Sequence, residues 1–282
     1  ASGGLLVSRD LPAAKREQVA AAVLASTDAR YGSQSAFFRL KSHIYPSHPD
    51  PAEFKRLFLR HGFLRVEKAG GYPCTHVLPL EQPFEERIWR GLWSHKVRKR
   101  IGKAERTGVE VIADDRLRYI DDFRIMLERL FLRYGKPPLS EQMVDLRLRT
   151  FPQRTKLFIA LYKGQPIAGL LCYYTPTTCY LSKAPSQDEA YRLSANLCLF
   201  AHAIRDASET GYRYVEFGIT STPSGETYKT HFKGTRVPIG IYEKQYSMIK
   251  TLLHSASDVG REIRHGGVHG LCRQIRKITE MS

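Results

Sequence analysis

Apolar positions recur along this chain with two periods, and the switches between them mark out its elements. Leu5–Ser8 has the short apolar run of a strand. Ala13–Arg30 places Val19, Ala22, Val23 and Ala29 at helical spacing, and Ala36–Leu40 returns to a strand pattern. Pro51–His61 predicts a helix with Asp50 as N-cap and Pro51 at the first helical position. Phe54, Leu57 and Phe58 share one face of it, and Gly62 follows as a stop. Thr75–Leu80 is the next strand, so the opening stretch runs β-α-β-α-β.

Phe84–Arg106 predicts one long helix, apolar in its first half (Ile88, Trp89, Leu92, Trp93) and basic in its second. Gly108 ends it and Val109–Ile112 is a strand. Ile120–Tyr134 is an amphipathic helix broken by Pro137 and Pro138, and Ser140 caps a further helix through about Arg149. Leu157–Tyr162, Ile167–Tyr174 and Thr178–Ser182, with turns at Lys163-Gly164 and Pro176, predict an antiparallel meander. Residues 189–209 read as one helix, Tyr212–Gly218 as a strand, Ile219–Gly225 as a polar loop and Ile239–Tyr246 as a last strand. Basic helical sequence continues to the end. The expected divisions are 1–82, a connecting basic helix 83–108, 109–250, and a tail 251–282.

Composition narrows the classes. Among 282 residues, 44 Lys and Arg against 28 Asp and Glu give a formal charge of +16, which points to an anionic partner: nucleic acid, nucleotide phosphates, anionic lipid or an acidic carrier protein. A merely soluble basic surface is the alternative. At 42% hydrophobic and 26% charged, the chain can bury a core. It has no apolar run of the ~18 residues that a membrane span requires. Five cysteines without a Cys-x-x-Cys pair argue against a disulfide framework or zinc site and fit a reducing cytoplasm. His265 and His269 have i, i+4 spacing, but glycines surround them, so no metal is expected.

Two helices, a three-stranded meander, a helix, a strand and a final strand over 115–246 form the order of the acyltransferase pattern called the GNAT fold, of mixed α/β (α+β) class. Residues 1–80 suit the back part of a first copy, which leaves a complete C-terminal copy behind a partial N-terminal one: either the chain begins late, or this is a reduced form with part of an acceptor pocket lost. Several motifs then bring a family into view. Leu6–Pro12 with Ala36–Leu40, the basic stretch Lys96–Glu110 with its R-x-x-I-x-K-A-x-R-x-G order, Tyr180–Ala184, Asn196, Tyr214–Gly218, and Gly225–Gly234, close to F-K-x-x-F-x-G, together resemble the Fem family of aminoacyl transferases, with two GNAT-like halves. The likeness covers most of residues 5–246. One departure is Lys41-Ser42, where many members carry Asp-Pro, so no carboxylate role is carried over there.

The resemblance places a family lysine at Lys229, the expected catalytic residue. A fixed ammonium would stabilise both the tetrahedral oxyanion and the ribose alkoxide of aminoacyl transfer. Tyr228, Tyr180, Ser182, Lys183, Arg192 and Arg133 are the expected substrate-binding residues. Arg133 equally suits a helix C-terminus, and Gly135–Leu139 matches the family loosely. Glu216 reads as a structural acid, Phe232 and the tryptophans as core. Lys96, Arg98, Lys99, Arg100, Lys103 and Arg106 put six cations into eleven residues, suited to tRNA phosphates or to a solvated connecting helix. Acetyl-CoA enzymes follow the central strand with Arg or Gln, two residues, Gly, one residue, then Gly or Ala. Gln187–Arg192 lacks both glycines.

The sequence therefore predicts an aminoacyltransferase that takes an aminoacyl group from aminoacyl-tRNA to an amine on a peptidoglycan precursor or a peptide natural product, without metal or cofactor and without a covalent enzyme intermediate. An N-acyltransferase with an acyl-CoA or acyl carrier protein donor, and a non-enzymatic RNA-binding protein, are the competing readings.

Overall fold

A computed structural model describes residues 2–3, 12–33, 37–43, 53–66, 73–135, 152–220 and 222–247, with a few single residues between them. They form two compact units, residues 74–236 and residues 1–73 with 237–282. The sequence expectation grouped the strand after residue 73 with the first stretch and the last strand with the second; the compact units divide the other way.

In the first unit, β1 (Ser2–Gly3) runs parallel to β2 (Phe37–His43). β10 (Thr235–Gln245) takes β2 and β3 (Leu64–Val66) as antiparallel partners. Helices α1 (Ala13–Tyr31) and α2 (Glu53–Arg60) supply Ala20, Leu24, Leu57 and Phe58 to a core closed by Leu40, Phe63 and Tyr242. The short strand β3 was not foreseen, and Leu5–Ser8 lies outside the described residues.

In the second unit, six strands lie in the order β4 (Cys74–Pro79), β9 (Tyr214–Glu216), β8 (Thr178–Lys183), β7 (Gln165–Tyr174), β6 (Thr155–Tyr162), β5 (Val109–Ala113). All pairs are antiparallel except β8 with β9, which run parallel over three residues, Thr178–Tyr180 against Tyr214–Glu216. The meander arrives as predicted, and Lys163-Gly164 turns it with positive φ at both positions. One sheet face packs Leu157, Ile159 and Leu171 on Phe123 and Leu127 of α4 (Ile120–Arg133). The other packs Leu78, Val215 and Phe217 on α3 (His95–Arg106) and α6 (Ala195–Glu209), through Val97, Ile101, Leu197, Phe200 and Ile204.

Two predicted helices are broken. Phe84–Arg106 is not continuous: a π-helical turn, Glu85–Arg90, closes through Gly91 N–H to Glu86 O and Trp93 N–H to Ile88 O, and Ser94 then caps α3 by accepting from Val97 N–H at 3.4 Å. Buried Trp93 sets this break, because its ring packs edge-on to Phe84, Trp89 and Phe232. Likewise 189–209 divides into α5 (Asp188–Leu193) and α6, because Ser194 takes a left-handed backbone at φ 59°. The predicted strand Tyr212–Gly218 pairs β8 only as far as Glu216. The helix expected after Ser140 and the tail 251–282 lie outside the described residues.

Candidate active site

The site gathers where β8 and β9 stop pairing. Glu216 is the last parallel partner, opposite Tyr180. The chain then turns at Gly218, with φ +69°, and a Cβ there would lie 2.6 Å from the Leu181 carbonyl oxygen. Only glycine allows both that backbone and that approach. On β8, the register with β7 slips between Tyr180–Leu181 and Lys183, so Ser182 is the extra residue of a bulge. The bulge brings Lys183 onto the same sheet face as Tyr180, three residues away rather than two.

Lys229 comes to this point on α7 (Pro223–Lys229). Thr222 caps that short helix by accepting from Gly225 N–H at 3.3 Å, and Pro223 fixes its first residue. Phe232, just beyond, is fully buried against Phe200 and Phe217 and pins the end of the segment. Nζ of Lys229 donates to Gly218 O at 2.7 Å, and Thr75 Oγ1 donates to the same carbonyl at 3.0 Å. Burial pulls the Lys229 pKa down to about 8, against the opposing pull of Cys74 and Glu216. The ammonium is therefore mostly intact at pH 7, held in little water, with two further N–H donors. Tyr180 is pushed up to about 12, by burial first and then by the Glu216 carboxylate, so its hydroxyl keeps its proton across the physiological range. Glu216 is completely buried.

A second polar layer lies beside Lys229. Cys74 and His76 sit on β4 on either side of Thr75, and all three are buried. Burial raises the Cys74 thiol. Burial also lowers His76, helped by Lys229 and Arg236 and opposed by Glu226. Nε2 of His76 is 3.8 Å from Glu226 Oε1, which accepts from Arg236 Nε at 2.7 Å. Nδ1 of His76 is buried with no hydrogen-bond partner among the described residues. None of Cys74, His76, Glu226 or Arg236 was singled out from the sequence. The available signal was a cysteine and a histidine two apart in a strand that otherwise reads as core.

The predicted site residues separate into three places. Lys229 and Tyr180 meet at the strand divergence, with Ser182 in the bulge. The Tyr228 ring packs on Phe200 and Phe232, and its buried hydroxyl has no hydrogen-bond partner among the described residues. Lys183, at the end of β8, lies over the Phe131 ring of α4 at 5.6 Å, and Arg133 donates to Asp188 at 3.2 Å, which joins α4 to α5. Arg192 is exposed in the last turn of α5.

On α3, Val97, Ile101 and Ala104 face the core. At ~100° per residue, Lys96, Lys99, Arg100 and Lys103 then line one flank, with Arg106 beside them. Arg98 turns the other way and is spent on structure. Its Nη1 donates to the carbonyls of Trp89, Arg90 and Trp93, at 3.0 Å, 3.1 Å and 2.5 Å, and so closes the end of the π-helical turn. The sequence expectation that Arg98 faces RNA is corrected by this geometry. Glu105 shares its flank and lies 3.5 Å from His202.

A coenzyme A pyrophosphate fits poorly after β8. There the Gln187 N–H donates to Ile167 O, its side chain to Pro166 O and the Ala190 N–H to Gln187 O, while Ala190 is fully buried. Two amides at this helix start, those of Gln187 and Ala190, are thus engaged by carbonyls of the protein itself. No group of three or more His, Cys, Asp or Glu placed to hold a metal occurs among the described residues. No described helix is long and apolar enough to cross a membrane.

By sequence, no curated protein matches the chain. A family model described as an acetyltransferase (GNAT) domain matches residues 94–230. Among solved structures, the chain is similar to FemX, at 11% identity and TM-score 0.63 over 86% of this chain and 80% of that one. It is similar to the C-terminal domain of a putative lysylphosphatidylglycerol synthetase from Agrobacterium fabrum, at 15% identity and TM-score 0.60 over 89% and 80%. It is also similar to L-PGS from Bacillus licheniformis, at 12% identity and TM-score 0.54 over 86% and 75%. Likeness at such identities speaks for the fold. The parallel pair that parts inside an otherwise antiparallel sheet, together with the match of residues 94–230 to that domain model, gives the chain a mixed α/β fold of the GNAT type.

Proposed function

We propose that this protein is an acyltransferase that forms an amide bond, passing an aminoacyl group from aminoacyl-tRNA to an amine acceptor in the cytoplasm. The observation that carries the reading is Lys229: a largely desolvated ammonium anchored on the Gly218 carbonyl at the divergence of β8 and β9. The acceptor nitrogen attacks the ester carbonyl, and a C–N bond forms as the carbonyl becomes an oxyanion. Collapse then breaks the C–O bond to the ribose, whose oxygen takes up the proton that the amine releases. Lys229 stands close to both developing charges, where a fixed cation in low dielectric is worth most. Tyr180 offers a protonated hydroxyl close to the same Gly218 turn, and Arg192 flanks the acceptor side. Tyr228 holds Lys229 in place by packing rather than by touching substrate. The cations of α3 other than Arg98 meet the tRNA.

Similarity to FemX and to proteins named for lysylphosphatidylglycerol synthesis supports an aminoacyl donor. The acceptor we favour is the amine of a peptidoglycan precursor or of a peptide natural product. The poor fit to pyrophosphate after β8 weighs against acyl-CoA.

The test is retention of charged total tRNA by the full chain at low and high salt, with the bound aminoacyl group identified and its transfer to a candidate amine followed. One aminoacyl-tRNA class should be retained at low salt, released at high salt and consumed by the amine. Transfer should decline above pH ~8, as Lys229 loses its proton. Indifferent binding of all RNA, with acyl transfer from a carrier protein instead, overturns the reading.

A further inference from the structure

An exposed aromatic ring lies on α5, with an arginine at its hydroxyl and further cations nearby. Tyr191 of α5 is 53% exposed. Arg133, at the end of α4, brings Nη1 to 3.5 Å from its hydroxyl, while Nη2 donates to Asp188 Oδ1 at 3.2 Å, one turn earlier on α5. Three residues after Tyr191, Arg100 of α3 donates through Nη2 to Ser194 Oγ at 3.2 Å, at the left-handed joint that separates α5 from α6. Arg100 and Tyr191 both act electrostatically on the Tyr228 hydroxyl, so the ring lies toward the segment that carries Lys229. Beyond Arg100 the positive charge continues. Lys96 lies one turn back on α3, and His231 feels Arg100, Lys96 and Lys233 together, after its own burial. Lys96, Arg100 and Lys233 are exposed.

A half-exposed ring with one guanidinium at its hydroxyl, and with cations nearby at the ~5–6 Å spacing of helical neighbours, matches what a single strand presents: one base to stack, then successive phosphates. The geometry points to Tyr191 as the stacking platform for an unpaired base near the 3′ end of the tRNA, with Arg100 and Lys96 on the phosphates that follow. The inference rests on the proposed aminoacyl-tRNA donor and names the surface that seats it. Leu132 and Tyr134 are also exposed beside Arg133, so an anionic lipid surface is the competing occupant that the test must separate.

The experiment is fluorescence anisotropy of the full chain with an uncharged, 5′-labelled ribo-oligonucleotide ending in CCA, with the same strand made abasic, and with vesicles containing an anionic phospholipid. Tyr191→Ala should weaken the CCA strand about tenfold and leave the abasic strand unchanged, while Tyr191→Phe keeps the wild-type affinity. Arg100→Ala and Lys96→Ala should each flatten the dependence of log K on log salt by about 0.7 for both strands. Equal affinity of wild type and Tyr191→Ala for the CCA strand overturns the proposal, as does a Tyr191 effect seen on vesicles and not on RNA. Because these readouts need no turnover, a chain that binds the CCA strand through Tyr191 but transfers nothing fails the functional reading alone. A chain that transfers from aminoacyl-tRNA with Tyr191→Ala unchanged in affinity fails this inference alone.

Discussion

The pocket around Lys229 and the outer flank of α3 are both cationic, yet they treat a lysine in opposite ways. Lys229 is drawn out of water, tied to the Gly218 carbonyl and pulled down to about 8. Lys99 and Lys103 stand exposed on a helix whose other face is core. In the first region a charge is expensive and fixed, so it can discriminate between a neutral ester and the oxyanion that forms from it. In the second it is cheap and mobile, and can only attract an anion at the strength that salt permits. The lesson is that burial, not the count of basic residues, separates a chemical role from a steering role.

The sharpest way to test this contrast is Lys229→Met. Removal of the ammonium should lower transfer by ~10²–10³-fold, the usual loss for one oxyanion donor. The same substitution should stabilise the fold. The folded pKa lies below that of the unfolded lysine, so the unfolded chain holds the extra proton between about 8 and 10.5. Wild-type stability therefore rises as pH climbs through that window, and its penalty is fully present below pH 8. Net of the lost hydrogen bond, Lys229→Met should gain on the order of 1 kcal/mol at pH 7 and lose that advantage by pH 10.5, read by denaturant melts at the two pH values. Lys99→Met should stay within ~0.5 kcal/mol. If the two substitutions behave alike, burial is not what distinguishes the regions.

A smaller effect comes from the backbone that anchors the lysine. Gly218→Ala forces a Cβ to 2.6 Å from Leu181 O at φ +69° and should cost ~2–3 kcal/mol. Transfer should fall further than the loss of folded protein explains, because the carbonyl that orients Lys229 moves with it. Activity that tracks folded fraction alone would reduce the anchor to a stability device.

The smallest effects separate two neighbours on α3. Arg98→Ala removes the donor to the Trp89, Arg90 and Trp93 carbonyls and should cost ~1–3 kcal/mol while RNA affinity is kept. Lys99→Ala should leave stability in place and weaken RNA a few-fold at low salt. Exchange of these two outcomes would return Arg98 to the nucleic-acid surface.

Legibility followed the range of the interactions. The meander was readable because period-two runs and the Lys163-Gly164 turn are local. The amphipathic α4 was readable because Phe123, Leu127 and Leu130 repeat within it. The continuous helices predicted over 84–106 and 189–209 failed because their breaks depend on Trp93 filling a distant aromatic cluster and on Ser194 accepting a left-handed backbone. The motif drew attention to Lys229 but not to its state, since its surroundings join residues 216–218 with Cys74 and Thr75 of the distant strand β4. Cys74 and His76 were missed because a strand at residue 74 gives no sign that residues 216–236 will pack beside it.

By itself, the amino-acid order determined the alternation of helices and strands, the meander, the basic character of α3 and the lysine in the middle of the Gly225–Gly234 segment, because propensity, periodicity and charge are written residue by residue. The tertiary structure alone decided that β8 and β9 part at Glu216, that Gly218 presents its carbonyl to Lys229, that Arg98 caps while its neighbours face solvent, and that Arg133 reaches the Tyr191 hydroxyl. Each of these depends on which surfaces exclude water together, and that is settled only when distant segments of the chain pack.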